Sequence, residues 1–180
     1  SFDSLQDKDY PRALVYLNES VKLYASADAL CERAYVLSIL KRNSEALNDV
    51  GLGLSKVRDD RYCLKMAVSL APSATDASEA IQLLEMVIEV DPSSSTALNQ
   101  RGWRYQNLGQ HRLAFADYLA SATLGDAWAQ TQTARMYWGG RGVEADREES
   151  ILWLRKAADQ GDADAKRRLE QALAQLGRKQ

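Results

Sequence analysis

The chain has 180 residues, 46% hydrophobic and 27% charged, with 3 prolines and 10 glycines, a composition that leaves no room for a disordered or low-complexity tract. A net charge of −2 and a pI of about 5.5 exclude a general nucleic-acid binder, which needs clustered Lys and Arg to neutralise phosphates. No apolar run approaches the roughly 18 residues that cross a bilayer, so membrane insertion is not expected.

Taken in chain order, the apolar residues recur at helical spacing, and Gly, Pro, Asp and Ser fall where helices should start or stop. Residues 10–23 carry Pro11, Leu14, Leu17 and Val21, an amphipathic helix whose partner is absent or reduced to residues 1–9. It is a half unit over 1–26, and its open apolar side is a candidate for self-association. A first hairpin follows, with Leu30, Ala34, Leu37 and Leu40, then Ser44 as a helix cap before Ala46, Leu47, Val50 and Leu54. The second has Leu64, Ala67, Val68 and Leu70, a break at Pro72, then Ala80, Leu84 and Val87 up to Asp91-Pro92. The third runs through Leu98, Gly102 and Tyr105, turns at Gly109, and continues through Ala114, Tyr118 and Leu124. Cys31 and Cys63 have no close metal-type or redox spacing and read as free thiols, which agrees with a cytoplasmic location. The chain begins at Ser1 rather than Met, and a signal peptide removed upstream would place it in the periplasm or outside the cell.

These segments repeat. Ala46, Ala80 and Ala114 recur every 34 residues, as do Val50, Leu84 and Tyr118, and Ala34, Val68 and Gly102. Gly125-Asp126-Ala127 returns 36 residues later as Gly161-Asp162-Ala163, enclosing the run Gly139-Gly140-Arg141-Gly142. A fixed period in this range marks one supersecondary unit stacked on copies of itself, which should give an elongated particle.

Gly102, Tyr105, Gly109, Ala114, Tyr118 and Ser121, with Ala80, Leu84, Val87 and Pro92 in the unit before, resemble the tetratricopeptide repeat. The first unit keeps Ala34, Ala46 and Gly53 but has Lys41 where that family usually has Gly. Ala129-Gln130, Met136-Tyr137, Gly140, Gly142, Asp146, Trp153-Leu154, Ala157 and Gln160-Gly161-Asp162 are similar to the SEL-one-like repeat, departing from its pattern at Thr133-Ala134 and Ser150. The resemblance implies an all-α fold, an α-solenoid forming a right-handed superhelix of antiparallel helix hairpins. Three tetratricopeptide-like repeats would fill 27–126, a SEL-one-like repeat 127–162, and a capping helix and tail 163–180.

Little in the chain suggests chemistry. His111 is the only histidine and falls in a turn, so no metal or cofactor site is expected. Ser38 and Lys41 match the Ser-x-x-Lys of penicillin-interacting enzymes, but no companion motif occurs. Gly139-Gly140-Arg141-Gly142 lacks the ending of a phosphate loop. The basic end, Lys166, Arg167, Arg168, Arg178 and Lys179, has no interleaved aromatics and reads as a solvated face.

The expected function is therefore a non-enzymatic interaction module. In tetratricopeptide arrays the first helices line a concave groove, and the resemblance places Tyr35, Tyr62, Lys65, Asn99, Trp103, Gln106, Thr131, Arg135 and Trp138 on it. Aromatics, amides and Arg on such a face suit a peptide or protein partner. The alternatives are a spacer or oligomerisation segment of a larger protein, or a penicillin-interacting enzyme.

Overall fold

A computed structural model describes residues 9–177. The covering role expected of the first residues, and Arg178 and Lys179 of the basic tail, lie outside this range apart from Asp9. Among the described residues are helices α1 (Tyr10–Leu23), α2 (Ala27–Ile39), α3 (Asn43–Lys56), α4 (Arg61–Leu70), α5 (Ala77–Val90), α6 (Ser95–Asn107), α7 (His111–Thr123), α8 (Ala127–Gly139), α9 (Arg147–Asp159) and α10 (Ala163–Gln175), with a 3₁₀ turn at Ala71–Ser73 and no strand. The fold is all-α, built of helix hairpins of the α-solenoid kind.

Short polar side chains start most of these helices by accepting a backbone N–H that has no partner within the first turn. Ser26 does this for α2, Asp60 for α4, Asp76 for α5 and Asp146 for α9. The Gly-Asp-Ala echo has the same basis. Gly125 and Gly161 take φ of 99° and 94° just past α7 and α9, and the next residue, Asp126 or Asp162, accepts the N–H of Ala129 or Ala165 at 2.7 Å. Each copy closes one helix and opens the next within two residues. Ser44, in contrast, caps nothing: α3 begins at Asn43, Arg42 occupies the cap position without a side-chain bond, and Ser44 lies inside the first turn.

The chain divides between Pro92 and Ser93 into two compact units. In the first, α1 packs on α2, α2 on α3 and α4, α3 on α4, and α4 on α5. Ala34, Ala46, Val50, Ala67, Ala80 and Leu84 are fully buried, so small residues stand where helices approach most closely. Leu14 and Leu17 of α1, expected on an open face, are buried instead, while Val15, Tyr16 and Leu23 on its other side are exposed.

Cys31 and Cys63 are not free thiols. Their sulfurs are joined in a disulfide between α2 and α4, with Cα atoms 5.4 Å apart and both residues fully buried. The pairing spans 32 residues because stacked hairpins bring corresponding first helices together about one repeat apart, which a search for close spacing misses. Gly53 of α3 makes room: a Cβ there would stand 2.7 Å from the Cys31 sulfur and 2.9 Å from that of Cys63. Arg33 of α2 holds the buried carboxylate of Asp49 on α3 through two hydrogen bonds of 2.7 Å.

In the second unit α6 packs on α7, α7 on α8, α8 on α9 and α9 on α10. Arg101 grips Asp117 at 2.9 and 2.7 Å, repeating the Arg33–Asp49 arrangement 68 residues on. Tyr118 is buried beside Gly102, where a Cβ would come within 2.9 Å of its ring, and it meets Trp128 edge to face at 5.5 Å.

Candidate ligand cleft of the second unit

Helix α8 is the centre of the second unit, with every residue from Ala129 to Ala134 buried. That environment decides which of its polar side chains can act. Gln130 donates to the Ala122 carbonyl at 3.2 Å and accepts from Gln160 at 2.9 Å, and Gln160 also donates to the Gly125 carbonyl at 3.0 Å. These two amides fasten the end of α9 to the α7–α8 turn. Ser150 donates to the Ala134 carbonyl at 2.8 Å, so a serine in place of the usual alanine stays small and satisfied.

Beyond α8 the chain turns through Gly140, in left-handed geometry at φ 62°, and Gly142 at φ 76°. A Cβ on Gly142 would lie 2.1 Å from the His111 carbonyl oxygen, so the loop seats directly on the start of α7. His111 is accordingly half-buried as the first residue of α7, not an exposed turn residue. Asp146 then caps α9, accepting from Glu148 and Glu149 at 2.9 and 3.0 Å.

This arrangement opens a cleft of about 280 Å³ lined from α6 by Gln106, from α8 by Gln132, Arg135, Met136 and Trp138, from the loop by Arg141, from α9 by Leu154, and from α10 by Arg168, Gln171 and Gln175. Arg135 donates to Gln132 at 2.7 Å, and Arg147 stacks its guanidinium 5.2 Å from the Trp138 ring centre. Asp164 pairs with Arg168 at 2.7 Å and with Arg167, and the Arg168 hydrogen bond holds its carboxyl below the usual range.

Of the nine residues expected on a groove, Gln106, Arg135 and Trp138 are brought together in this cleft. Trp103 is about half exposed on α6 with Arg104 stacked over it at 5.1 Å, and it is not part of the lining. Asn99 donates to the α8 cap residue Asp126 at 3.1 Å, a structural contact. Thr131 drops out as a contact residue: it is 1% exposed and its hydroxyl donates back to the Ala127 carbonyl. It lies on the face of α8 covered by neighbouring helices. Tyr35, Tyr62 and Lys65 belong to the first unit, exposed on α2 and α4. There partial burial pushes the Tyr62 hydroxyl above its ordinary range, with Glu32 and Tyr35 nearby adding to the rise.

Sequence reasoning missed Gln132, Arg141, Arg168, Gln171 and Gln175. On α10 Arg168 and Gln175 lie at helical spacing beside the buried Ala165 and Ala172 rather than on a separate face, so the residue pattern alone gave no sign of them.

Elsewhere the Ser-x-x-Lys match falls at the end of α2. The Ser38 hydroxyl donates to the Tyr35 carbonyl at 2.7 Å, and Lys41 forms the left-handed end of α2 at φ 63°. Among the described residues no group of three or more His, Cys, Asp or Glu side chains is placed to hold a metal ion, and no helix is long and apolar enough to cross a membrane.

Comparison with known proteins agrees with this architecture. Residues 129–162 match the Sel1 repeat family. No curated protein matches the sequence. Among solved structures, MamA superposes with a TM-score of 0.70 at 17% identity, covering 91% of this chain and 95% of that one. YrrB, described as a TPR protein with an unusual peptide-binding site, gives 0.68 at 20% identity over 93% of this chain and 87% of its own. A Sel1 repeat protein from Oxalobacter formigenes gives 0.54 at 28% identity over 69% of this chain and 97% of its own. Residues 129–162 thus match the Sel1 repeat, in a chain whose fold is that of tetratricopeptide and Sel1-like repeat proteins.

Proposed function

We propose that the chain is a non-enzymatic protein-interaction module and that the cleft of the second unit holds a peptide segment of its partner. The observation that carries this reading is the convergence of Trp138, three arginines and four glutamines, from three helices and a loop, on one open cleft. Glutamine amides both donate and accept, as a peptide main chain requires, and a half-buried Trp offers an apolar anchor. The described peptide-binding site of YrrB, a protein of similar fold, is in keeping with it. Trp138→Ala should weaken retention of a bound peptide by roughly thirty-fold, the equivalent of about 2 kcal/mol at an anchor position. Glu170→Ala, an exposed change on α10 outside the lining, should leave it unaltered. Equal loss in both variants would remove the cleft from consideration.

A second reading, self-association through the first helix, rests on Val15, Tyr16, Leu23 and Tyr24, which are 62%, 49%, 70% and 76% exposed. Sedimentation of wild type beside a Tyr16→Ser/Leu23→Ser variant tests it. A concentration-dependent dimer that the variant abolishes is the expected result, and a strict monomer rejects it.

A further inference from the structure

We infer that the segment held in the cleft is acidic: a peptide with carboxylates for Arg135, Arg141 and Arg168 and an apolar side chain for Trp138, Met136 and Leu154. This deepens the reading of the cleft as a peptide site and rests on it. In a chain of net charge −2, the described lining has three guanidinia and no carboxylate. Neutralisation inside the protein is incomplete. Arg135 is hydrogen-bonded to the neutral amide of Gln132, which orients the guanidinium without cancelling its charge. Arg141 is exposed on the glycine loop. Arg168 is paired, but its partner Asp164 is shared with Arg167 and also feels the charge of Arg135, so one carboxylate stands among three guanidinia.

Planar guanidinia at the rim match carboxylates in two-point geometry, and the surrounding amides match a main chain. A nucleic-acid backbone fits less well. It needs an extended cationic track and open aromatic faces for stacking, whereas this cleft is about 280 Å³ and its Trp138 ring already carries Arg147.

The test is selection of random dodecapeptides displayed on phage against the full chain with its disulfide intact, followed by anisotropy titration of the selected peptides, fluorescein-labelled. Selected sequences should be enriched in Asp and Glu. Changing those acids to their amides should weaken binding at least tenfold, Arg135→Gln and Arg141→Gln should each weaken it roughly tenfold, and Glu170→Ala should not. Binding should also fall as NaCl is raised from 50 to 300 mM. If peptides are selected that depend on Trp138 but show no acid enrichment and no response to Arg135→Gln or Arg141→Gln, the acidic inference is overturned and the peptide reading stands. If no selected peptide depends on Trp138, both fall. Displacement of the peptides by oligo-dT at lower concentration than by the acidic peptides themselves would also overturn the inference, in favour of nucleic acid.

Discussion

Lys41 is the one non-glycine residue among those described with positive φ, at 63°. It occupies the left-handed position after α2 that Gly109, Gly125 and Gly161 occupy after α6, α7 and α9. A side chain there costs about 1–2 kcal/mol relative to glycine, offset in part by glycine's larger entropy in the unfolded chain. Lys41→Gly is therefore expected to stabilise the protein by up to about 1 kcal/mol, read as a higher denaturation midpoint with unchanged slope. Thr133 is a second such residue, fully buried with its hydroxyl lacking a hydrogen-bond partner among the described residues. An isosteric Thr133→Val removes that unmet group and should gain about 1 kcal/mol. A loss would mean that a water satisfies the hydroxyl. The reverse case is Gly102, packed against the Tyr118 ring and the Asp117 Cβ. Gly102→Ala should cost about 1–3 kcal/mol, since the buried ring cannot move aside freely.

Pairs of helices are joined by a recurrent ion pair, and its gaps are as informative as its occurrences. Arg33–Asp49 and Arg101–Asp117 each tie the first helix of a hairpin to the second across 16 residues. Half-way between them in sequence, 34 residues from each, stand Ala67 and Leu83, both buried. The same place thus accepts an ion pair or an apolar contact, as expected where desolvation nearly cancels the attraction. Asp49→Ala should cost about 3 kcal/mol by stranding Arg33, and Arg33→Ala/Asp49→Leu, which copies the middle hairpin, should recover most of it. Urea denaturation of the two variants decides this. The 34-residue period made the buried alanines at 46, 80 and 114 readable in the sequence, whereas the ion pairs, which recur only at twice that period, were passed over. The cleft was legible only on its α6 and α8 sides. On α10 the apolar stripe suggested a terminal cap, and nothing in the residue pattern tells a solvated polar face from one turned toward a neighbouring helix. Thr131 failed for the related reason that a helix packed on several sides has few free positions, whatever its register.

At the scale of the molecule the disulfide is the feature that sequence spacing concealed most completely. Disulfides persist in oxidising surroundings, so the argument from free thiols to a reducing compartment falls away. Closing a loop of 32 residues should contribute about 4 kcal/mol to the stability of the first unit. Adding a reductant, or replacing both cysteines with serine, should lower the melting temperature and raise amide exchange in α2, α3 and α4. Unchanged exchange in those helices would show the bond to be energetically idle. Gly53 should behave as part of the same device, since any larger residue there presses on both sulfurs. The bond also bears on how the chain responds to force. Stretched from its two ends in an optical trap, the oxidised protein should pay out roughly 110 Å less contour than the reduced one, because the chain between the cysteines, a separation of 32 in sequence, is bypassed by a covalent link. A tether anchored at each end would thus have its maximum reach set by the thiol chemistry of its surroundings.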